Sequence, residues 1–214
     1  MELFEFDEKI KDNKVGELGL NLFSFDKIIG TDEAGRGPVV GRVYAAAVCF
    51  NNNVDEKLFL KLNDSKKLTE KTRDELFVLI KENSIWSIKY SEVDEIEKIN
   101  ILQASLLSMK KAIIEVQNKL KTKNVLCLVD GNRLIKFDMA QKTIVKGDSK
   151  SASIAAASIL AKVERDNYMK KLNMEFPQYK WGKNKGYLTK EHIEAIKKFG
   201  ITKYHRKTFL KNYL

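Results

Sequence analysis

The stretch IIGTDEAGRGPVVGRVYAAAVCF, residues 28–50, joins two apolar runs through a turn rich in glycine that also contains arginine and proline. The runs at 27–32 and 42–50 have the length and composition of strands, and glycine and proline are typical of the turn between them. The stretch therefore predicts an antiparallel hairpin. It also places Asp32 beside Glu33 where the first strand ends, and adjacent side chains in a regular strand point to opposite faces. The two residues can act together only if the backbone bends there or if a backbone group, such as the Glu33 carbonyl oxygen, takes part.

The rest of the chain alternates helix and strand patterns. The first 25 residues predict a peripheral helix with apolar anchors Leu3, Ile10, Val15, Leu18 and Leu22. After the hairpin, the sequence predicts a helix capped by Thr69, a strand at 84–91, a long helix with apolar positions from Ile99 to Val116, and a strand at 124–130. The last part predicts a short strand at 142–148 ending on Asp148, an alanine-rich helix at 149–172, a loop at 181–187, and a helix between Thr189 and Gly200. A hairpin followed by such alternation predicts an α/β domain with a mixed central sheet flanked by helices.

The length of 214 residues fits one domain. We divide it into the peripheral helix at 1–25, a core at 26–175 and a basic C-terminal helical extension at 176–214. No apolar run is long enough for a membrane span and no signal-peptide pattern is present, so we expect a cytoplasmic protein. The two cysteines, Cys49 and Cys127, lie in apolar runs and are predicted to pack as free thiols.

Basic residues exceed acidic ones by ten, 39 to 29, and the excess is concentrated near the C-terminus. Residues 178–211 contain ten Lys or Arg and two Glu, interleaved with Tyr179, Trp181, Tyr187 and Tyr204. Such a segment suits a nucleic-acid backbone, with aromatic rings available for stacking. The alternative is that the whole surface is rich in lysine and that this segment has no special partner. Net charge alone bears on possible partners and not on the fold.

Acidic residues close three predicted strands: Asp32 with Glu33, then Asp130, then Asp148. The ends of neighbouring strands in an α/β sheet assemble functional sites, so these acids can converge. Clustered carboxylates repel one another unless cations neutralise them, and hard oxygen ligands suit Mg²⁺ or Mn²⁺. Asp148 has an alternative role as the N-cap of the following helix.

Seven blocks of sequence together resemble the bacterial ribonuclease HII family, the type 2 ribonucleases H. They are GTDEAGRGP, DSKKLT, NILQASLLSMKKAI, VDGN, KGDSKSASIAAASILAKVERD, NKGYLTKEH and YHRKTF. The resemblance covers residues 28–209 and implies a ribonuclease H-like fold whose C-terminal extension helps hold a duplex. It implies that Asp32, Glu33, Asp130 and Asp148 are the catalytic metal ligands. Leu188 and Arg42 depart from the residues that the family often has at those positions.

The resemblance further implies that Gly35, Arg36 and Gly37 contact the ribonucleotide and that Tyr187 lies at the junction between ribonucleotide and deoxyribonucleotide. Glycines allow close backbone approach to a 2′-hydroxyl, although the same residues suit a plain hairpin turn. A core position is the alternative for Tyr187.

Four further residues are candidate phosphate contacts: Lys146, Ser149, Lys150 and Arg206. The first three surround the predicted start of the alanine-rich helix, where free N–H groups favour anions. Ser149 is equally suited to a cap. His205, beside Arg206, is more typical of packing or surface and stays outside the catalytic set.

The predicted function is that of a metal-dependent endoribonuclease, a monomer that uses Mn²⁺ or Mg²⁺, with two ions in the reacting complex. It is expected to cut the RNA strand of RNA/DNA hybrids and to nick duplex DNA on the 5′ side of embedded ribonucleotides, leaving 5′-phosphate and 3′-hydroxyl ends. Two alternatives remain at this stage: another nuclease or strand-transfer enzyme of the same fold, and a non-catalytic nucleic-acid-binding module.

Overall fold

The computed structural model describes residues 2–12, 24–55, 58, 61–62, 68–211 and 213. Of the predicted N-terminal helix, Glu2–Lys11 forms α1, with Leu3 and Ile10 packed on the core. The other predicted anchors, Val15, Leu18 and Leu22, lie outside the described residues, as do residues 64–67 of the DSKKLT block.

A mixed five-stranded sheet with the order β3-β2-β1-β4-β5 forms the centre of the fold. Its strands are β1 Lys27–Ala34, β2 Val43–Phe50, β3 Ser84–Ser91, β4 Val125–Asp130 and β5 Gln141–Ile144. The predicted hairpin is confirmed, because β1 and β2 pair antiparallel with Asp32 opposite Ala46. β4 runs parallel to β1 with Thr31 opposite Val129. Asp32 and Asp130 are the next residues, so they lie side by side toward the carboxyl ends of these two central strands. We call this end of the sheet the acidic edge.

Helices cover both faces of this sheet. In the described part of the chain the helices are α1, α2 Glu70–Glu82, α3 Val93–Ile99, α4 Ile101–Lys119, α5 Ala152–Glu175, α6 Trp181–Asn184, α7 Lys190–Phe199 and α8 Lys207–Leu210. The last three pack with one another and with the end of α5. β2 alternates between the faces: Ala46 and Val48 pack with α2 and α5, whereas Ala45 and Ala47 pack with α4. This alternation is the period-two pattern of a strand buried on both sides.

Small side chains let α5 lie directly on β1. The predicted small-residue face of this helix is confirmed, since Ser151, Ala152, Ala155, Ala156 and Ser158 are all buried. At the closest point a Cβ on Gly30 would lie 2.2 Å from the Ser153 carbonyl carbon. Only glycine fits there, and the contact fixes β1 relative to the start of α5.

Several boundaries differ from the sequence prediction. β1 continues to Ala34, so both acids belong to the strand. β5 ends at Ile144 instead of reaching Asp148, because the chain turns through a left-handed Lys146 (φ 56°) into a 3₁₀ turn, Gly147–Ser149. The predicted long helix is interrupted at Asn100 (φ 65°), whose side chain caps α4 by accepting from the Gln103 N–H.

The C-terminal extension contains more helix than predicted, and most of its aromatic side chains lie in the hydrophobic core. Residues 181–184 of the predicted loop form α6 between left-handed Lys180 and Lys185. Tyr179 and Trp181 stack at 4.8 Å between ring centroids inside this region and are buried. They are therefore not available to bases, in contrast to the prediction, whereas Tyr187 is 53% exposed.

The thiols of Cys49 and Cys127 are buried and free, as predicted. In the part of the chain that the structure describes, no helix combines the length and the apolar character that crossing a membrane requires.

Candidate active site

Asp32 is a buried carboxylate at the acidic edge, 6% exposed. Its Oδ1 accepts the backbone N–H of Glu33 at 2.7 Å, and the Ser158 side chain of α5 also hydrogen-bonds it. Burial raises the pKa of Asp32 well above its ordinary value, and the carboxylates of Glu33 and Asp130 raise it further. Three acids are thus close enough to repel one another, which is the situation that bound cations relieve.

Asp130 and Asp148 are brought together by one backbone contact. Asp130 closes β4, and its Oδ1 accepts the N–H of Gly147 at 2.7 Å. A Cβ on Gly147 would lie 3.2 Å from that oxygen, so the approach is tight. Asp148 is the next residue and is 5% exposed within the 3₁₀ turn. It does not cap α5, because Ser151 is the N-cap.

The chemistry of this donor set fits divalent cations. Carboxylate oxygens at a buried edge with mutual repulsion are suitable for Mg²⁺ or Mn²⁺. Among the described residues no three His, Cys, Asp or Glu side chains already converge to ligand distances. Glu33 instead pairs with Arg36, whose Nη1 lies 3.2 Å from Oε1. The carboxylates would therefore turn inward to hold an ion.

The loop after β1 and Tyr187 meet beside these acids. We call residues 35–42 the glycine loop. A Cβ on Gly37 would lie 3.3 Å from Cε1 of Tyr187, so the exposed ring stands against the backbone of this residue. Gly35 has φ +102°, a conformation that favours glycine. Arg36 keeps its side chain 47% exposed. The structure thus brings together the residues of the predicted ribose site.

The predicted anion site at the start of the alanine-rich helix differs from expectation. Lys146, Ser149 and Lys150 are exposed around Asp148, as a phosphate contact requires. The helix N-terminus itself is buried and already satisfied: the Ser153 N–H donates to Asp7 Oδ2 of α1 at 2.8 Å, and the Ile154 N–H donates to Ser151 Oγ. Because α5 begins at Ala152, its free N–H groups are not presented beside Asp148. Any phosphate there would meet the two lysines and the serine.

Arg206 does not face solvent, and the prediction that it contacts the duplex is wrong. Its side chain is fully buried and donates to backbone carbonyls of the glycine loop, which leaves it no donor for a phosphate. Sequence reasoning also missed Arg165, a second buried arginine on α5. The available signal was its spacing, since Arg165 lies four and seven residues after Ala161 and Ser158 on the buried face of the helix.

His205 is a packing residue, which agrees with the prediction that left it outside the catalytic set. It is buried against Tyr179 and Trp181, and its Nδ1 accepts the Thr202 N–H. Burial and the neighbouring His192 lower the pKa of His205 to about 4, so it is neutral at pH 7. His192 in turn contacts the Tyr187 carbonyl through Nδ1 at 2.9 Å, which supports the backbone of the exposed tyrosine.

Comparison with known proteins gives one consistent family. The family model described as Ribonuclease HII matches residues 29–212. A ribonuclease HII from Pelagibacter ubique is 56% identical over 183 residues, which cover 85% of this chain and 95% of that protein. A ribonuclease HII from Caldanaerobacter subterraneus is 48% identical over 208 residues, covering 96% of this chain and 81% of the relative.

Solved structures of the same type have the same fold. The ribonuclease H2 of Pyrococcus horikoshii superposes with a TM-score of 0.66 at 26% identity, covering 85% of this chain and 93% of that one. The ribonuclease HII of Archaeoglobus fulgidus, solved in complex with PCNA, gives the same TM-score and identity over 84% of this chain and 93% of that chain. The arrangement of sheet and helices predicted from the sequence is therefore confirmed.

Proposed function

The chain belongs to the ribonuclease HII family, and from that premise we propose how its acidic edge and glycine loop divide the work of the reaction. As a type 2 ribonuclease H it is a hydrolase that cleaves the RNA strand of RNA/DNA hybrids, and the family depends on divalent metal ions. We propose that it also nicks duplex DNA on the 5′ side of an embedded ribonucleotide, and so removes ribonucleotides from DNA in the cytoplasm as a monomer.

The metal ligands in this proposal are Asp32, Glu33, Asp130 and Asp148. Mg²⁺ or Mn²⁺ bound by them, as a pair in the reacting complex, would activate the attacking water and stabilise the leaving 3′-oxygen. The residues themselves supply buried carboxylates, and the repulsion among these carboxylates favours the binding of a cation. Products with 5′-phosphate and 3′-hydroxyl ends follow from attack by water on the phosphorus.

The choice of the cleavage position belongs to Gly35, Arg36, Gly37 and Tyr187. Backbone groups of the glycine loop can reach a 2′-hydroxyl because the glycines present no side chain, and this hydroxyl distinguishes RNA from DNA. In this proposal the Arg36 side chain contacts a phosphate and the Tyr187 ring contacts a sugar. Lys146, Ser149 and Lys150 would contact a further phosphate beside Asp148.

One observation carries this proposal: the exposed Tyr187 ring lies against Gly37, at the start of the loop that follows the acids Asp32 and Glu33. The proposed ribose sensor is thereby adjacent to the proposed metal ligands. The test is cleavage of a DNA duplex with one ribonucleotide, beside a uniform RNA/DNA hybrid and an all-DNA duplex, with Mg²⁺ or Mn²⁺. We expect cutting of the first two and a single product 5′ of the ribonucleotide; cutting of the all-DNA duplex would contradict the proposal.

A further inference from the structure

Two arginines are buried directly beneath the glycine loop. Arg206 is 0% exposed and Arg165 is 2% exposed. Within the described part of the chain, neither guanidinium forms a salt bridge with a carboxylate. Burial of a cation without a counter-ion is costly, so each of these side chains needs strong compensating contacts.

Arg206 obtains those contacts from the carbonyl oxygens of the glycine loop. A guanidinium has five N–H donors in a rigid planar arrangement. Its donor–acceptor contacts are Nε to Gly41 O at 2.9 Å, Nη1 to Pro38 O at 2.7 Å and to Arg36 O at 3.2 Å, and Nη2 to Gly35 O at 2.8 Å and to Arg42 O at 3.1 Å. One side chain from the C-terminal extension thus gathers five carbonyls from a loop more than 160 residues earlier.

This arrangement fixes which way the N–H groups of the loop point. No described peptide bond is cis, and in a planar trans peptide the N–H points opposite to the C=O of the same unit. The carbonyls of Gly35 and Arg36 point inward to Arg206. The N–H groups of Arg36 and Gly37 therefore point away from Arg206, and the Tyr187 ring lies against Gly37. Neither has a hydrogen-bond partner among the described residues.

Arg165 supports the same loop from α5 and connects it to the segment of Tyr187. Its Nη2 donates to Lys185 O at 3.0 Å and to Val40 O at 3.4 Å. A Cβ on Gly35 would lie 2.2 Å from Arg165 Nε, so the loop backbone rests on this side chain. The Val39 N–H also donates to Gly186 O at 2.9 Å. The glycine loop and the tyrosine segment therefore have one shared support.

The buried pair also contributes positive charge. Burial and the nearby Arg165 lower the pKa of Arg206 to about 9, which leaves it a cation at neutral pH. Two cations beneath two outward N–H groups favour an oxygen-rich ligand such as a ribose 2′-hydroxyl beside its phosphate.

We propose that Arg206 is a positioning residue for ribonucleotide recognition. By drawing the carbonyls of the glycine loop inward, with Arg165 beneath Gly35, it turns the N–H groups of Arg36 and Gly37 toward the substrate. The inference rests on the proposed function, in which this loop senses the ribonucleotide. It goes beyond that function by assigning the sensor's selectivity to a side chain that never touches the substrate.

The test compares the full-length wild-type chain with Arg206→Lys and Arg206→Met. KM and kcat are measured on a duplex with one ribonucleotide, and the inhibition constant Ki is measured for the same duplex made entirely of DNA, as a competitor. The ratio of Ki to KM is the selectivity for the 2′-hydroxyl. Ile196→Ala is the matched control. Ile196 is buried in the hydrophobic cluster of the C-terminal extension, so the substitution removes packing there but no hydrogen bond to the glycine loop.

We expect Arg206→Met to lower this selectivity about tenfold or more, through a higher KM, with Ki changed less than about twofold because phosphate contacts dominate binding of plain DNA. Arg206→Lys keeps the charge but not the planar set of five donors, so an intermediate loss is expected. A purely structural role would instead reduce the active fraction, lowering kcat and leaving KM and Ki unchanged; Ile196→Ala should behave in that way.

Wild-type selectivity in both arginine variants would overturn this inference and leave the proposed function intact. If Arg206→Met does not fold, Arg206→Lys decides alone, and full selectivity in it overturns the inference. A wild-type protein that shows no preference for the ribonucleotide duplex over DNA would overturn the proposed function and this inference together.

Discussion

At the scale of single residues, the carboxylates of the acidic edge repel one another. Asp32 is buried, and Glu33 and Asp130 add repulsion to the cost of desolvation, so the pKa of Asp32 is raised. One hydrogen bond from the Glu33 N–H and one from Ser158 offset only part of this cost. Groups arranged for function commonly reduce the stability of the free protein. In the proposed function, metal binding is the event that stabilises this edge.

Replacing Asp32 by Asn tests this view without measuring activity. The amide has a similar shape but no charge, so we expect the metal-free variant to melt about 2 to 4 °C higher, the shift that roughly 1 kcal/mol gives in a chain of this size. Mn²⁺ should raise the melting temperature of the wild type and have much less effect on Asp32→Asn. Thermal unfolding with and without Mn²⁺ measures both. Equal Mn²⁺ stabilisation in the two proteins would contradict the assignment of Asp32 as a ligand.

The sequence could predict the acids but not the role of Arg206. Acids at strand ends before glycine form a local pattern, and the family motifs identify which acids these are. An arginine in a basic segment, by contrast, has the same sequence pattern whether its guanidinium meets phosphate or buried carbonyls. The acceptors of Arg206 lie more than 160 residues away, and only the folded chain brings them to it.

At the scale of elements, the start of α5 is where several parts of the fold meet. Gly30 of β1 contacts the backbone of Ser153, whose N–H donates to Asp7 of α1. A carboxylate is a favourable cap for a helix N-terminus, yet Asp7 Oδ1 has no hydrogen-bond partner among the described residues. Burial raises the pKa of Asp7 from 3.8 to about 6, against the opposing effect of Ser151 and Ser153. The contact between α1 and α5 is therefore sensitive to pH.

The stability contributed by Asp7 should increase on acidification. Its folded pKa exceeds the unfolded one, so the folded state binds a proton first as pH falls through about 6, and the gain is complete below about 3.8. Relative to Asp7→Asn, the wild type should gain up to about 2 to 3 kcal/mol between pH 7.5 and pH 4. Urea unfolding at several pH values measures this difference.

Glu5→Gln is the control for this experiment, because Glu5 is an exposed acid on the same helix and is not among the groups that shift the pKa of Asp7. It should follow the wild-type pH dependence. A difference between wild type and Asp7→Asn that stays constant from pH 4 to pH 7.5 would show that Asp7 does not titrate in this range.

Element order and type were largely predictable from hydrophobic periodicity, and the errors have local causes. The predicted strand extends to Asp148, beyond the end of β5 at Ile144, because the sequence gives no sign that Lys146 adopts a left-handed conformation. The break between α3 and α4 at Asn100 was hidden by an apolar period that continues across it. Residues 181–184 contain glycine and two polar residues, and they form α6 because Trp181 is buried in the C-terminal core. In this last case tertiary packing outweighs the local pattern.

At the scale of the whole molecule, charge and structure have separate roles. The excess of ten positive charges supports attraction to a polyanion, but individual basic residues differ in what they can reach. Arg206 and Arg165 are buried within the support of the glycine loop, whereas Lys146 and Lys150 are exposed beside Asp148. Lys119 is also exposed, but it pairs with Glu115 and contacts the Trp86 carbonyl on β3, two strands away from β1.

The salt dependence of duplex binding should separate these positions. If Lys150 neutralises a phosphate, Lys150→Ala reduces the slope of log K against log salt concentration by about 0.9. Lys119→Ala, which removes the same charge at the end of α4 beside β3, should leave the slope unchanged. Binding titrations of an RNA/DNA hybrid over a range of salt concentrations measure both slopes. Equal slopes for the two variants would mean that the duplex does not pass beside Asp148.

The most direct test of the central claim, metal-dependent cleavage by the acidic edge at a position chosen by the ribose, is one single-turnover assay. A DNA duplex with one ribonucleotide is incubated with Mg²⁺ or Mn²⁺ and excess wild-type protein or Asp32→Asn, and the product ends are mapped. We predict one nick on the 5′ side of the ribonucleotide with a 3′-hydroxyl end, at a rate lowered at least about 10³-fold in Asp32→Asn. Near wild-type cleavage by Asp32→Asn, or a nick elsewhere in the duplex, would contradict the account.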